Sequence, residues 1–314
     1  MEQFELQFVN FAKLVILAMV PYVLASQGTM LGGRTGVFNV SQEGVMLVGA
    51  SVGFLAAYLL DSLLLGMIIA MLVGGLFGLA LAYFTTTLKM DQFVIGLALF
   101  FIGLALSTLF FKIVVGVTLK PPLIPTLQDV AIPLLSQIPI IGPIFFDQNV
   151  LVYFTFLLSG FLYYFLYKTS WGLELRAVGE NPKAADSLGI SVSTMRYVTV
   201  IAGSMLVGLA GAYLPMVYTG TFTEGMVRGR GWLAIALTFF GGWQPHLIFF
   251  GSLFFAGVEV FALRLQVIGA NIPHQFLLMI PFIATILVMM RPIKGTRTPA
   301  FLGQNYDREK RTQV

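Results

Sequence analysis

The sequence predicts an all-α fold, a polytopic bundle of membrane-spanning helices, and three observations carry that prediction. Of the 314 residues, 58% are hydrophobic and 10% are charged, against about 25% charged in ordinary soluble domains. One water-soluble core cannot hide so much apolar surface. A hydrocarbon layer about 30 Å thick takes about 20 mostly apolar residues per spanning helix, and such stretches recur along the chain. The clusters of Lys and Arg fall between those stretches, where they report topology.

The apolar runs, in order, cover 11–31, 44–60, 63–87, 92–111, 150–167, 195–217, 231–242, 246–268 and 275–290. The run 231–242 would reach only about 18 Å at 1.5 Å per residue, so it is a short buried helix or a re-entrant element. The count of crossings is therefore eight or nine. Lys168, Arg176, Lys183 and Arg196 mark 168–195 as cytoplasmic, and Arg291, Lys294, Arg297, Arg308, Lys310 and Arg311 do the same for a tail at 291–314. Working backwards puts 112–149 outside, Lys89 inside, and Asp61 and the N-terminus outside. Residues 1–290 form the membrane domain.

Met1–Asn10 carries Glu2 and Glu5 and lacks a basic n-region and a small-residue cleavage site, so the first apolar run is expected to be retained as a span. The stretch 112–149 is apolar yet interrupted by Pro121, Pro122, Pro125, Pro133, Pro139 and Pro143, which breaks any long helix. It reads as a lid on the outer membrane surface. Gly49 with Gly53, and Gly74 with Gly78, lie four apart on one helix face, a spacing that permits close packing in lipid. That packing is either internal or a seam between subunits.

Cysteine is absent and there are two histidines, which excludes disulfides, thiolate metal sites and cysteine nucleophiles and leaves no metal centre to expect. His246 and His274 flank one span without a carboxylate at ligand spacing, so both read as interfacial. The net charge of +4 reflects topological anchoring with lipid contacts, not a nucleic-acid partner. The tripeptide Asn39-Val40-Ser41 fits a glycosylation acceptor pattern but falls in a segment expected to be buried.

Three segments invite a functional reading. Residues 32–44 (GGRTGVFNVSQEG) are too polar for lipid and too rich in glycine for a steady helix. Irregular backbone at membrane depth survives only beside protein or a water-filled cavity, and broken helices of this kind build transporter substrate sites. Asn39, Ser41, Gln42 and Glu43 are thus candidates for a solute pathway. Alternatively the segment is a plain loop whose Glu43 caps the following helix at its positive end. Residues 225–232 (GMVRGRGW) repeat the character, followed by a short and then a longer apolar run. The two copies have opposite predicted orientations, which suggests an inverted repeat. Trp232 joins the pathway candidates. Arg228 and Arg230 lie on the expected outer side, where they either meet acidic groups of a docking protein or are paired internally. Glu259, inside a span, is a further pathway candidate, and Glu259 and Arg264 each call for a partner on another helix.

The third segment runs from Trp171 to Ile190. Asn181 is a favoured N-cap, Pro182 suits the first helical position and Gly189 suits a left-handed terminator, so 182–188 reads as a capped helix of two turns. A helix that short is marginal alone and must dock, either on its own bundle or on a cytoplasmic partner.

Four co-linear motifs resemble one family: 36–50 (GVFN through EGVMLVGA), 175–190 (LRAVGENP with Gly189-Ile190), 229–232 (GRGW), and 299–309 (PAFLG with YDRE). They are similar to permeases of the branched-chain amino acid and sugar type importers, in the branch that serves nucleoside and simple-sugar uptake. The resemblance implies a type II ABC importer permease fold. It implies ATPase coupling through Arg176, Ala177, Gly179, Glu180, Asn181, Pro182, Ala184, Ala185 and Gly189. It further implies a second homologous permease subunit, an extracytoplasmic substrate-binding lipoprotein, and an ABC ATPase carrying ATP and Mg. No phosphate-cradling Gly-x-x-x-x-Gly-Lys-Ser/Thr run appears in this chain, so the expectation is a transport subunit of a bacterial inner membrane with no covalent chemistry of its own. The family usually has an acidic residue and Ala near Gly33 and Thr35, and Gly-Leu where this chain has Ser41-Gln42, which leaves the solute open. The rival class is an ion-coupled secondary transporter, which would need intramembrane acids or cation ligands and no coupling knob.

Overall fold

The computed structural model describes residues 2–118, 120–267, 274–290 and 298–308. Every one of the nine apolar runs lies on a helix. They are α1 (Glu2–Gly33), α2 (Gln42–Leu60), α3 (Leu63–Ala82), α4 (Gln92–Val114), α6 (Val150–Lys168), α9 (Val192–Tyr213), α10 (Arg230–Phe240), α11 (Pro245–Val267) and α12 (His274–Met289). Helices α3 and α9 each continue into a π-helical turn, Tyr83–Thr87 and Leu214–Thr219. Among the described residues, seven helices are long and apolar enough to cross a membrane. The other two are α10, with 11 residues, and α12, with 16.

Side-chain caps fix where many helices begin. Asp91 accepts from the Val94 N–H at 2.9 Å, Asn149 from Val152 at 3.1 Å and Asn181 from Ala184 at 3.0 Å. Each satisfies a donor that the first helical turn leaves orphaned.

The buried centre consists of α2 and α9, each with 78% of its spanning stretch enclosed, whereas α3, α4 and α6 enclose 33%, 28% and 33% and turn apolar faces outward. Glycine makes this centre possible. A Cβ on Gly203 would stand 2.2 Å from the Gly28 carbonyl of α1, one on Gly208 2.3 Å from the Ala70 carbonyl of α3, and one on Gly211 against the Met46 carbonyl of α2. Helix α9 thus meets three neighbours backbone to backbone. The paired glycines picked out from the sequence serve the same packing: Gly49 faces Gly208, Gly53 faces Ala212, and Gly74 and Gly78 face Ser204. Their role is internal.

The bundle has two ends. At one, β1 (Asp129–Ala131) and β2 (Asp147–Asn149) form an antiparallel pair beside the five-residue α5 (Ile141–Phe145). This hairpin is pinned to α1 by Lys13, whose Nζ lies 2.9 Å from Asp129 and 2.8 Å from Asp147. The proline-interrupted stretch is therefore short strands and turns, with Leu123, Leu134 and Val117 exposed. At the opposite end, α7 (Ser170–Glu180) and α8 (Pro182–Ser187) follow α6. The capped helix expected from Asn181 and Gly189 is α8, and it arrives attached to a second helix that the sequence reading left undescribed. Residues 298–308 lie against this end. Arg291, Lys294, Arg297, Lys310 and Arg311 are outside the described residues.

Candidate functional site

The first glycine-rich break is narrower than its sequence suggested, because α1 runs on to Gly33 and only 34–41 is irregular. It is buried: Arg34, Thr35, Asn39, Ser41, Gln42 and Glu43 are all under 9% exposed. Gln92, at the start of α4, uses its Oε1 to accept the Phe38 N–H at 2.7 Å. A Cβ on Gly103 would meet Gly44 at 2.5 Å. Gly103 lies eleven residues beyond Gln92, or about 16 Å along α4. Helix α2 therefore begins near mid-depth in the bundle.

Helix α10 begins at the same depth. A Cβ on Gly231 would stand 2.5 Å from the Glu43 Cα. The Glu43 carboxylate accepts the N–H of Gly229 at 2.7 Å and of Gly231 at 2.8 Å. Those donors are orphans of the first turn of α10, and a carboxylate suits the positive end of a helix. Neither expectation for Glu43 anticipated this arrangement: the residue caps a helix, but a different one from its own.

From there α10 runs to the end carrying α7 and α8, where the Trp243 carbonyl accepts from Arg34 Nε at 2.7 Å. The short apolar run thus completes a traverse in which 220–229 supplies the first half as turns and α10 the second as helix. Two helices start back to back at mid-depth and run toward opposite ends, which is the geometry expected of opposed repeats.

A second polar contact secures the junction. Arg230 Nη2 lies 2.5 Å from Glu259 Oε1 on α11, Tyr22 of α1 donates to Glu259 Oε2 at 2.9 Å, and Arg230 also reaches the Met226 and Val227 carbonyls. Arg230 has the internal partner that was one of its two alternatives. Arg228 is exposed, with a φ of 53°. Arg264 reaches the Gln7 carbonyl at 3.0 Å and lies over the Phe11 ring. His246 meets Tyr163 edge-on, and the side chain of His274 lies outside the described residues.

The remaining pathway candidates divide. Asn39 is occupied: its Oδ1 accepts from the Ser41 N–H and hydroxyl, and its Nδ2 donates to Ser204 at 3.3 Å. It shapes the break. Gln42 is fully buried, and neither amide atom has a partner among the described residues. Trp232 is 38% exposed and stacks edge-on to Phe100 at 5.3 Å. Seven residues on, Phe239 meets Phe38 at 5.7 Å, so α10 carries aromatic rings along its open face.

At the other end, α8 buries Pro182 and Ala185 and exposes Asn181, Ala184, Gly189 and, at 81%, Leu188. Arg176 covers the Tyr167 ring at 4.9 Å, while Ala177 and Ile190 flank an apolar cluster centred on Val178 and Ala185. Gly179 lies so close to the Arg34 carbonyl, 2.0 Å from a would-be Cβ, that no larger residue fits. Glu180 is exposed at the end of α7. Sequence reasoning missed Arg34, Tyr22, Arg196 and the inward contacts of 300–308. Arg196, fully buried, donates to the Thr35 and Gln304 carbonyls at 3.1 Å each. Burial, and then the hydrogen bond to Asp186, raises the Tyr306 hydroxyl above its usual pKa, so it stays a donor.

This architecture defines a multi-pass membrane protein with a broken helical junction at mid-depth. Residues 10–289 match the family described as "Branched-chain amino acid transport system / permease component", and the chain belongs to that family. The guanosine ABC transporter permease protein NupQ of Bacillus subtilis is 33% identical over 307 residues, covering 93% of this chain and 94% of that protein. The nucleoside ABC transporter permease protein NupC of Lactococcus lactis is 33% identical over 322 residues, covering 96% and 99%. A glucose ABC transporter permease protein of Haloferax volcanii, TsgB13, is 26% identical over 254 residues, covering 77% and 66%.

Proposed function

We propose that this chain is the permease subunit of an ATP-driven ABC importer that moves a neutral nucleoside inward across a bacterial inner membrane. The observation that carries the solute class is the way charge is used at mid-depth. Glu43 is committed to the α10 backbone, and Glu259 to Arg230 and Tyr22. That leaves the unpartnered Gln42 amide, buried in this conformation and reached by a solute when the junction opens, and the exposed aromatic face of Trp232, a pair that suits a planar, uncharged, hydrogen-bonding molecule. The names of two relatives at 33% identity point the same way, and sugar-named relatives at 30% and 26% identity keep simple sugars as the nearest competitor. An ion-coupled carrier would need a free acid or cation site at this depth, and the family membership argues against that class.

In this reading α7 and α8 are the coupling element. The exposed α8 tip at Leu188 docks on a separate ATPase that holds ATP and Mg. The tail is cytoplasmic, the hairpin end faces the binding lipoprotein, and an outward apolar face of the bundle meets a second permease.

Proteoliposomes holding the whole complex, with its binding protein, test this directly. Nucleoside uptake should require ATP and persist after ion gradients are collapsed. Uptake driven by a gradient without ATP would overturn the reading, and uptake of glucose in preference to nucleosides would replace the solute. Gln42→Ala should lower uptake while sparing assembly, and normal uptake would remove Gln42 from the pathway.

A further inference from the structure

Residues 298–308 form no helix or strand, yet bonds run from them to separate parts of the cytoplasmic end. The Phe301 N–H donates to the Gly179 carbonyl of α7 at 2.9 Å, and the Gly303 N–H donates to the Gly36 carbonyl in the first break at 3.0 Å. Asn305 Nδ2 donates to the Lys89 and Met90 carbonyls ahead of α4, at 2.6 and 2.9 Å. Beyond it, Tyr306 donates to Asp186 of α8 at 3.0 Å, Arg308 Nε lies 2.9 Å from the same carboxylate, and Asp307 pairs with Lys89 at 2.9 Å.

Two features turn this contact set into a linkage. Only two residues of chain, Gln304 and Asn305, separate Gly303, bonded to the break, from Tyr306, bonded to α8, a span of at most about 10 Å when extended. So short a tether passes on a pull instead of absorbing it. Arg196 then locks the inner end, because its guanidinium holds the Thr35 carbonyl of the break and the Gln304 carbonyl of the tail together. The break in turn leads into the first turn of α2, where Glu43 holds the start of α10. A continuous chain of bonds therefore joins α8 to the mid-depth junction.

We propose that residues 303–308 are a strap that transmits displacement of α8 to the first break, with Tyr306 and Arg308 as positioning residues for the coupling step. This rests on α8 being the element that an ATPase moves. A merely anchoring tail would affect assembly, whereas a strap affects how much transport each hydrolysis event yields.

The test compares the wild-type complex with Tyr306→Phe/Arg308→Ala in proteoliposomes, reading solute moved per ATP hydrolysed. The double variant cuts the Asp186 end and leaves the Gly36, Gly179 and Lys89 carbonyl contacts intact. Solute moved per ATP should fall by about 2- to 30-fold, the range found for mutations along coupling networks, with hydrolysis little changed. Restoring Tyr306 and using Arg308→Lys should recover most of the yield. A double variant with wild-type yield would overturn the strap while leaving the importer reading standing. A wild-type complex that moves no solute with ATP would overturn both. Should the variant fail to assemble, amide hydrogen exchange of 34–41 in the full chain decides: faster exchange supports the strap, and unchanged exchange rejects it.

Discussion

The two glycine-rich breaks meet at Glu43 but are built on opposite plans. The first, 34–41, is enclosed and held from outside: Gln92, Arg196 and Gly303 all bond to its backbone. The second, 220–229, exposes Thr223, Glu224, Gly225 and Arg228; its backbone folds on itself in turns, Met226 N–H to Thr223, Arg228 to Gly225 and Arg230 to Val227, and it is anchored at Gly220 by the Ile124 N–H, at Glu224 by Lys112 and through buried Phe222 and Val227. One break is gripped along its backbone by the scaffold, and the other is partly exposed, bonded to itself through its middle and anchored chiefly near its ends and by buried side chains. The difference says where motion is admitted. Helix α10 and its approach can shift as a unit only as far as Glu43, Glu259 and the anchors at Gly220 and Glu224 allow, while the first break moves only with what grips it.

The sharpest way to break this comparison is to remove the bridge. Glu43→Ala leaves the Gly229 and Gly231 N–H groups without partners, at about 1–3 kcal/mol for each buried donor. Thermal stability should drop markedly and uptake should be lost. Glu43→Gln, which keeps one carbonyl acceptor, should retain part of both. A variant with unaltered stability would mean that the two breaks are not joined through this carboxylate.

A smaller effect distinguishes clamped from free. Gly36 has a φ of 90°, and a Cβ there would meet the Phe301 carbonyl at 2.9 Å and Arg196 at 3.0 Å. Gly36→Ala therefore adds a clash to the left-handed backbone cost of about 1–2 kcal/mol, and denaturation midpoints should reveal more than that amount. The smallest effect is expected at Gly225, whose φ is 68° but whose surroundings are open within 4 Å. Gly225→Ala should cost only the backbone strain of about 1–2 kcal/mol. Equal losses at the two glycines would remove the distinction.

Much of the fold could be read from the sequence because lipid imposes a simple rule on it. Long apolar runs must be helices, and all nine fell on helices, although α1 begins nine residues before the run that marked it. The capped α8 was legible because Asn181, Pro182 and Gly189 act locally, Asn181 through its side-chain cap and the other two through their own backbone. The junction was only half legible. Residue type flagged Glu43, Arg230 and Glu259, but which acid meets which donor depends on how α2, α10 and α11 come together, and spacing along one chain does not encode that. Asn39 was singled out as a solute contact, and in the structure its hydrogen bonds go to Ser41 and Ser204. The inward role of 300–308 was least legible, since most of its bonds involve main-chain groups, whose pairing is independent of side-chain identity.

The bare contacts of α9 have a mechanical consequence. Where side chains interdigitate, a small push dissipates as rotamers hop. Between Gly203 and Gly28, or Gly208 and Ala70, main chain rests on main chain and has no rotamer to spend. Helices α1, α2, α3 and α9 must then travel together as a keel, and whatever compliance the protein has is left to its perimeter.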